Sequence, residues 1–353
     1  MIKIASRYLY DVAAATRAED LHHLLQRAIE LEHATIPPYT TALLSLRPGT
    51  NQEIRDIIHS VTIDEMLHMA IAANVLNAIG GCPRIDDPGF VPIYPGHLPM
   101  DIGEGLVVGL EGFSRDVVGN VFMEIEEPEE PIEFPIARAF GTEREEPTFA
   151  TIGQFYRAVI EKIADLGDAV ITGDAARQVV SETWFGHRLF PITSAAAACR
   201  ALTLIIEEGE GTPVSPVDPD GDLAHYYRFA EIFHGRRLVK DETATHGYSY
   251  SGPAITIDAD GVYPLVANQK AGDLDPDTDA RRHANQFGFT YTKLLKALQR
   301  TFDGEPGQLD AALGLMFELK LTGQLLCALP AIVDGQQTGK NAGPAFEYRE
   351  FNV

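Results

Sequence analysis

Cysteine is scarce in this chain. Three residues in 353, Cys82, Cys199 and Cys327, contain no Cys-x-x-Cys pair, which argues against both a disulfide framework and a thiolate zinc site. Basic clusters are missing as well. With 28 Lys and Arg against 51 Asp and Glu, the formal net charge is -23, so neither nucleic acid nor an anionic membrane is expected as a partner, because both are bound through clustered cations. No stretch reaches the roughly 20 apolar residues of a membrane span, and Met1-Ile2-Lys3-Ile4-Ala5 is not followed by a signal-like apolar run. The expectation is a soluble, cytoplasmic protein. No Gly-x-Gly-x-x-Gly follows a strand pattern, and no Gly-x-Ser-x-Gly elbow offers a hydrolase nucleophile.

What the chain does have is helical periodicity. Residues 16–46 read as one long helix, entered through Thr16 or Asp20 as N-cap and left at Arg47-Pro48-Gly49, with Pro37-Pro38 expected to kink it. A second helix over about 51–79 follows at once, and so short a link makes the two antiparallel neighbours. Further bundle helices are expected over about 191–208 and 220–238, separated by Gly209-Glu210-Gly211-Thr212-Pro213, and helical periodicity also appears from Thr151 to Ile163. Between them, about 83–150 is rich in Pro and Gly and reads as an irregular insertion, its acidic run Glu126, Glu127, Glu129 and Glu130 as a solvated loop. Tyr248 to Asp258, with Asp260-Gly261 as a turn, reads as a small hairpin. Two extra helices at about 277–300 and 307–328 precede a Gly-rich tail. The fold class is mainly α: an antiparallel four-helix bundle with extra helices and an irregular insertion.

On the second helix the stripe Ile54, Ile58, Val61, Glu65, His68, Ala72, Val75 and Ile79 advances by fours and threes, so one helix face points at a core. Glu65 and His68 interrupt that face. An ionised carboxylate is costly to bury unless it is paired or bound to a metal, and Glu with His three residues on is a unit of di-metal carboxylate bundles. On the first helix Leu21, Leu25, Ala28 and Glu32 share a face, whereas Glu30 falls with the polar His23, Gln26 and Arg27. Glu32 lies fourteen residues before Leu46 and Glu65 fourteen after Asn51, so the hairpin sets them at one height. The second helix pair offers Asp222 with His225 at the same acid-x-x-His spacing; Glu207 and Glu210 are equal candidates for a bridging acid, and Glu208 sits on a more apolar face. Glu231 and His234 repeat the spacing, but Glu231 has Arg228 as a surface partner. His22, His23 and His33 read as solvated, and Tyr39 and Tyr227 as packed aromatics with bonded hydroxyls. Carboxylates and imidazoles together suit one or two divalent ions, Fe first, Mn or Zn also.

Leu31-Glu32-His33-Ala34-Thr35-Ile36-Pro37-Pro38-Tyr39, Asp64-Glu65-Met66-Leu67-His68, Asn74 to Gly81, Phe122-Met123-Glu124-Ile125-Glu126, Gly209-Glu210-Gly211-Thr212 and His225-Tyr226-Tyr227-Arg228-Phe229 together resemble the ferritin-like domain of the iminophenyl-pyruvate dimer synthase family. The family's best-known members, the chromopyrrolic-acid-type synthases, are much larger proteins that oxidatively couple two imines derived from an aromatic amino acid. The resemblance implies one ferritin-like domain over 1–353, with Glu32, Glu65, His68, Glu210 and His225 as metal ligands. It also implies an oxidoreductase acting on a small aromatic, amino-acid-derived substrate, as a homo-oligomer or beside a biosynthetic partner enzyme. A metal-storage protein or a scaffold subunit is the alternative.

Overall fold

The computed structural model describes residues 5, 7–101, 105–128, 132, 151–211, 215–218 and 221–350. Residues 129–131 and 133–150 of the expected insertion, with Glu129 and Glu130, lie outside that set, as do Thr212, Pro213 and Asp220. The fold is mainly helical.

A short helix not anticipated from the sequence, α1 (Arg7–Ala14), precedes α2 (Glu19–Ser45) and α3 (Gln52–Ala78). The entry to α2 inverts the expected cap: Ala18 occupies the N-cap position, and Asp20 reaches back to accept from the backbone N–H of Thr16 at 2.9 Å. Asn51 begins α3 in the left-handed region at φ 48, a conformation Asn tolerates, and exchanges hydrogen bonds with the Asp258 backbone. The pair runs antiparallel. His22, early in α2, bonds the carbonyl of Ile79 beyond α3, whereas Arg55, early in α3, bonds the carbonyl of Leu46 beyond α2. Leu21, Leu25, Ala28, Ile58, Val61 and Val75 are fully buried along the seam, and each of the Leu, Ile and Val side chains contributes about 1.5–3 kcal/mol.

Helix α2 continues unbroken through Pro37 and Pro38. Pro38 has no N–H for the carbonyl of Ala34, and the Tyr94 hydroxyl fills that vacancy at 2.7 Å. A buried tyrosine from the insertion thereby docks on α2.

The second pair is α4 (Ile152–Leu166) and α5 (Ala195–Glu210), which starts and ends a little later than the expected 191–208. Gly153 at the start of α4 meets Glu210 at the end of α5, so these two are antiparallel as well. Helix α6 (His225–His234) is much shorter than the expected 220–238. It is closed by Gly235 at φ 70, a left-handed C-cap. Two long helices, α7 (Asp279–Phe302) and α8 (Gln308–Cys327), pack on one another and reach the α2–α3 pair.

Two expectations need correction. The insertion is not wholly irregular: a π-helical turn, Val118–Phe122, flanked by the helical turns Arg115–Val117 and Met123–Ile125, packs against α6. Gly119 permits that approach, since a Cβ there would meet the Phe233 ring at 2.4 Å. The expected hairpin at Tyr248 to Asp258 is instead β1 (Val239–Lys240) paired with β2 (Tyr248–Ser249), and Asp260–Gly261 belongs to a 3-10 turn that the Asp258 side chain caps. The tail forms a second hairpin, β3 (Pro330–Val333) with β4 (Gln336–Asn341), turned at Asp334 and Gly335, both at positive φ.

Candidate metal centre

Buried acids and imidazoles from four places in the chain meet around a cavity of about 50 Å³, lined among others by Glu32, Glu65, His68, Glu126, Tyr156 and Glu210. From α2 comes Glu32, 5% exposed, and from α3 come Glu65 and His68, 3% and 1% exposed. The insertion contributes Glu126, the residue after the helical turn Met123–Ile125, and the first turn of α6 contributes His225, which is fully buried. Ligand atoms of Glu65, His68 and His225 all lie within 4.8 Å of one another, a spacing suited to one ion.

The two imidazoles are arranged alike. Nδ1 of His225 lies 3.0 Å from Glu65 Oε1 and 3.4 Å from Glu126 Oε2, and Nδ1 of His68 lies 3.6 Å from Glu65 and 3.8 Å from Glu32. Their Nε2 atoms point away, to Glu208 at 3.0 Å from His68 and to Asp64 at 3.5 Å from His225. The rings stack with centroids 5.3 Å apart. Neither nitrogen of His225 has a hydrogen bond of acceptable geometry, despite full burial. Buried polar atoms are nearly always satisfied, so an imidazole facing carboxylates without bonding them fits a site built for a cation.

A ring of supporting groups holds the acids. The Tyr156 hydroxyl donates to Glu32 Oε1, the Tyr39 hydroxyl to Glu126 Oε1 at 2.5 Å, and the Thr35 hydroxyl to Glu65 Oε2 at 2.8 Å. Asp64 is clamped by Arg188 at 2.8 Å and Arg228 at 2.7 Å, and Arg188 also reaches Glu208 at 3.2 Å. Burial, reinforced by the neighbouring Glu65 charge, lifts the Glu32 carboxyl to about 8, and Glu126 rises for the same two reasons. Glu65 moves the other way: burial opposes its charge, but His225 and His68 hold it well below the usual carboxylate range. Against burial, Glu208 and Glu65 raise His68 to about 10, and Asp64, Glu126 and Glu65 raise His225 well above its ordinary value. Protons on the imidazoles balance the acids where a cation would otherwise do so.

The structure therefore gathers Glu32, Glu65, His68, Glu210 and His225, and separates the other two candidates from them. Asp222 is exposed, because α6 begins only at His225 and the acid-x-x-His spacing precedes the first helical turn. Glu207 is half-buried and does not line the cavity; the inward acid of that turn is Glu208, which shares a face with Ala201 and Ile205. Glu210 lines the cavity while accepting from the Gly153 N–H at 2.9 Å. Glu231 is buried and pairs with Arg237 at 2.6 Å, not with Arg228 on the surface. His33, expected to be solvated, is buried against Tyr291. Glu126 was hidden inside an acidic run, and its only sequence signal was Ile125 and Phe122 beside it, apolar residues placed to bury one end of that run.

A family model described as ferritin-like matches residues 25–234, a span that contains every residue of the cluster. The chain is 24% identical over 344 residues to dichlorochromopyrrolate synthase of Lentzea aerocolonigenes; the alignment covers 85% of this chain but spans only 30% of that protein's length. A crystal structure of a ferritin-like protein from Caulobacter vibrioides shares the fold, with a TM-score of 0.54 at 21% identity over 86% of this chain and 93% of that one. No helix among the described residues is long and apolar enough to cross a membrane.

Proposed function

The chain belongs to the ferritin-like family, and on that premise we propose that it is a metal-dependent oxidoreductase whose ions are held by Glu32, Glu65, His68, Glu126 and His225, with Glu210 as a further acid at the cavity. The observation that carries this reading is His225: both ring nitrogens are buried without a hydrogen bond, and Nδ1 faces Glu65 at 3.0 Å and Glu126 at 3.4 Å. Both imidazoles would ligate through Nδ1; in His68, Nε2 is hydrogen-bonded to Glu208 at 3.0 Å, the arrangement that fixes a ligating histidine's tautomer and raises its basicity, and in His225 Nε2 stands 3.5 Å from Asp64. Glu208 and Asp64 are thus positioning residues. Tyr156, Tyr39 and Thr35 orient Glu32, Glu126 and Glu65, leaving the second oxygen of each acid for an ion. One or two divalent ions, Fe first by the carboxylate and imidazole donor set, would supply redox and Lewis-acid chemistry there.

The likeness to dichlorochromopyrrolate synthase supports a finer reading, an oxidative coupling of small imines derived from an aromatic amino acid, delivered by a partner enzyme. Elemental analysis after expression in Fe-supplemented medium tests the first part: stoichiometric metal is expected in the parent and its loss in Glu65→Ala. Absence of stoichiometric Fe, Mn or Zn in the parent would sink the proposal. Supplying an aromatic imine generated in situ by an amino-acid oxidase tests the second, with metal-dependent formation of a dimeric product by mass spectrometry as the expected result.

A further inference from the structure

On the side of α2 and α3 that meets α7 and α8 lies a larger cavity of about 350 Å³, which shares no lining residue with the carboxylate site. Its size falls in the range of small-molecule sites. It follows α2 from His33 to Leu44, about 16 Å at the helical rise of 1.5 Å per residue. Between those ends the walls are apolar, with Ile36, Leu43, Met66, Leu298 and Met316 prominent.

Its two ends are not apolar. At one, His33 is 4% exposed and its Nδ1 has no hydrogen-bond partner, while Nε2 is paired with the Tyr291 hydroxyl at 2.7 Å. With Nε2 taken by that hydroxyl, Nδ1 is an unmatched buried hydrogen-bonding atom. At the other end stand Arg55, His59 and Lys320. Arg55 and Lys320 bring positive charge to this end, opposed only in part by Asp56, which acts on Arg55 and His59, and burial lowers the His59 ring so that it stands there as a hydrogen-bonding imidazole. Arg55 donates only to the carbonyls that end α2, and Asp56 beside it is bonded by Gln52 at 2.7 Å.

We propose that this cavity binds an elongated, mainly apolar carboxylic acid of the fatty-acid class, oxygenated at its far end. The carboxylate meets Arg55, His59 and Lys320, the hydrocarbon lies along α2, and the terminal oxygen pairs with His33 Nδ1. Apolar walls supply affinity and the two polar ends fix orientation and length.

Trp184, the single tryptophan of the chain, lines the cavity and reports on its occupancy. Titration of the full chain with 12-hydroxydodecanoate should change Trp184 fluorescence saturably, with dodecylamine binding at least tenfold more weakly. Lys320→Glu, at an exposed position, should lower affinity at least fivefold without altering the melting temperature, and His33→Leu should abolish the preference for the hydroxylated acid over dodecanoate. No saturable change, or equal affinity for amine and acid, would overturn the proposal. A concentration-dependent dimer that excludes the acid, seen by light scattering, would assign the cavity to a second copy and overturn it too. Binding should persist after chelation, so failure here leaves the metal reading untouched.

Discussion

Glu126 Oε2 lies 3.4 Å from Nδ1 of His225, joining a segment of the insertion to the first turn of α6. The contact depends on Tyr39, whose ring packs edge-on against both Phe122 and Phe229 and whose hydroxyl fixes the other Glu126 oxygen. One aromatic side chain of α2 thus aligns two segments, remote in sequence, that carry the proposed ligands Glu126 and His225.

Removing Glu126 should therefore weaken metal retention strongly, and removing its support should weaken it less. Glu126→Ala is expected to lower metal affinity at least a hundredfold. Tyr39→Phe keeps the ring packing and should lower it about 10–100-fold, as loss of an orienting hydrogen bond does. Competition with a chromophoric chelator measures both; retention of full affinity in Glu126→Ala would remove that residue from the ligand set.

Asp222→Ala and His225→Ala separate the linear pattern from the folded one. Asp222 is exposed and outside the site, so its loss should leave metal content within twofold of the parent. His225→Ala should abolish stoichiometric binding. Elemental analysis of the two variants side by side decides the matter, and equal losses would restore the acid-x-x-His spacing as a ligand pair.

Gly153 sits where a Cβ would fall 2.3 Å from Glu210 Oε2. Because that oxygen ends a flexible side chain, Gly153→Ala should cost little stability, about 1 kcal/mol by urea unfolding. The displaced Glu210 carboxylate should nevertheless lower metal affinity several-fold. The double variant Gly153→Ala with Glu210→Ala should unfold no more easily than Glu210→Ala alone, and a large additional loss would mean that the glycine serves the backbone instead.

Stability of the metal-free chain should fall as pH rises from the mildly acid range. Glu32 holds its proton to about 8 when folded against an ordinary 4.5, so the unfolded state binds fewer protons above 4.5 and stability declines toward 8. His68, raised from 6.5 to about 10, contributes stability that is complete below 6.5 and lost as pH passes through 10. Asp64, Glu65 and Glu208, all held low, contribute stability that disappears on strong acidification. A maximum at about pH 4.5–5 follows for the chelated protein in thermal scans, where the rise from the acids held low meets the decline from Glu32 and Glu126. Since a cation displaces the same protons, metal affinity should rise with pH and the metal-loaded protein should lose the alkaline decline; a flat profile in the chelated protein would contradict the protonation scheme.

Half of the site was legible from the residues alone, because helical periodicity and a short link leave little freedom. A carboxylate and an imidazole on the buried face of 51–79 had to point at a core, and hairpin register had to bring Glu32 level with Glu65. The long helices were legible for the same reason, to within a few residues. Where chain geometry was not periodic, the sequence was silent or misleading. Asp222 and His225 have helical spacing, yet Gly221 and the turn bonded at Asp218 delay the helix until His225 and leave Asp222 in solvent. Glu126 lies in a run whose composition resembles a solvated loop, and its side chain is only 9% exposed because the π-helical segment packs Phe122 against Tyr39 and Phe229. The choice of Glu208 over Glu207 turned on one step around a helix, settled by His68 and Arg188 on the facing elements. Local periodicity determined which faces are buried and that acids and imidazoles lie on them. Long-range packing decided which of those groups share one point, because that depends on the distances between helices and on where each helix begins.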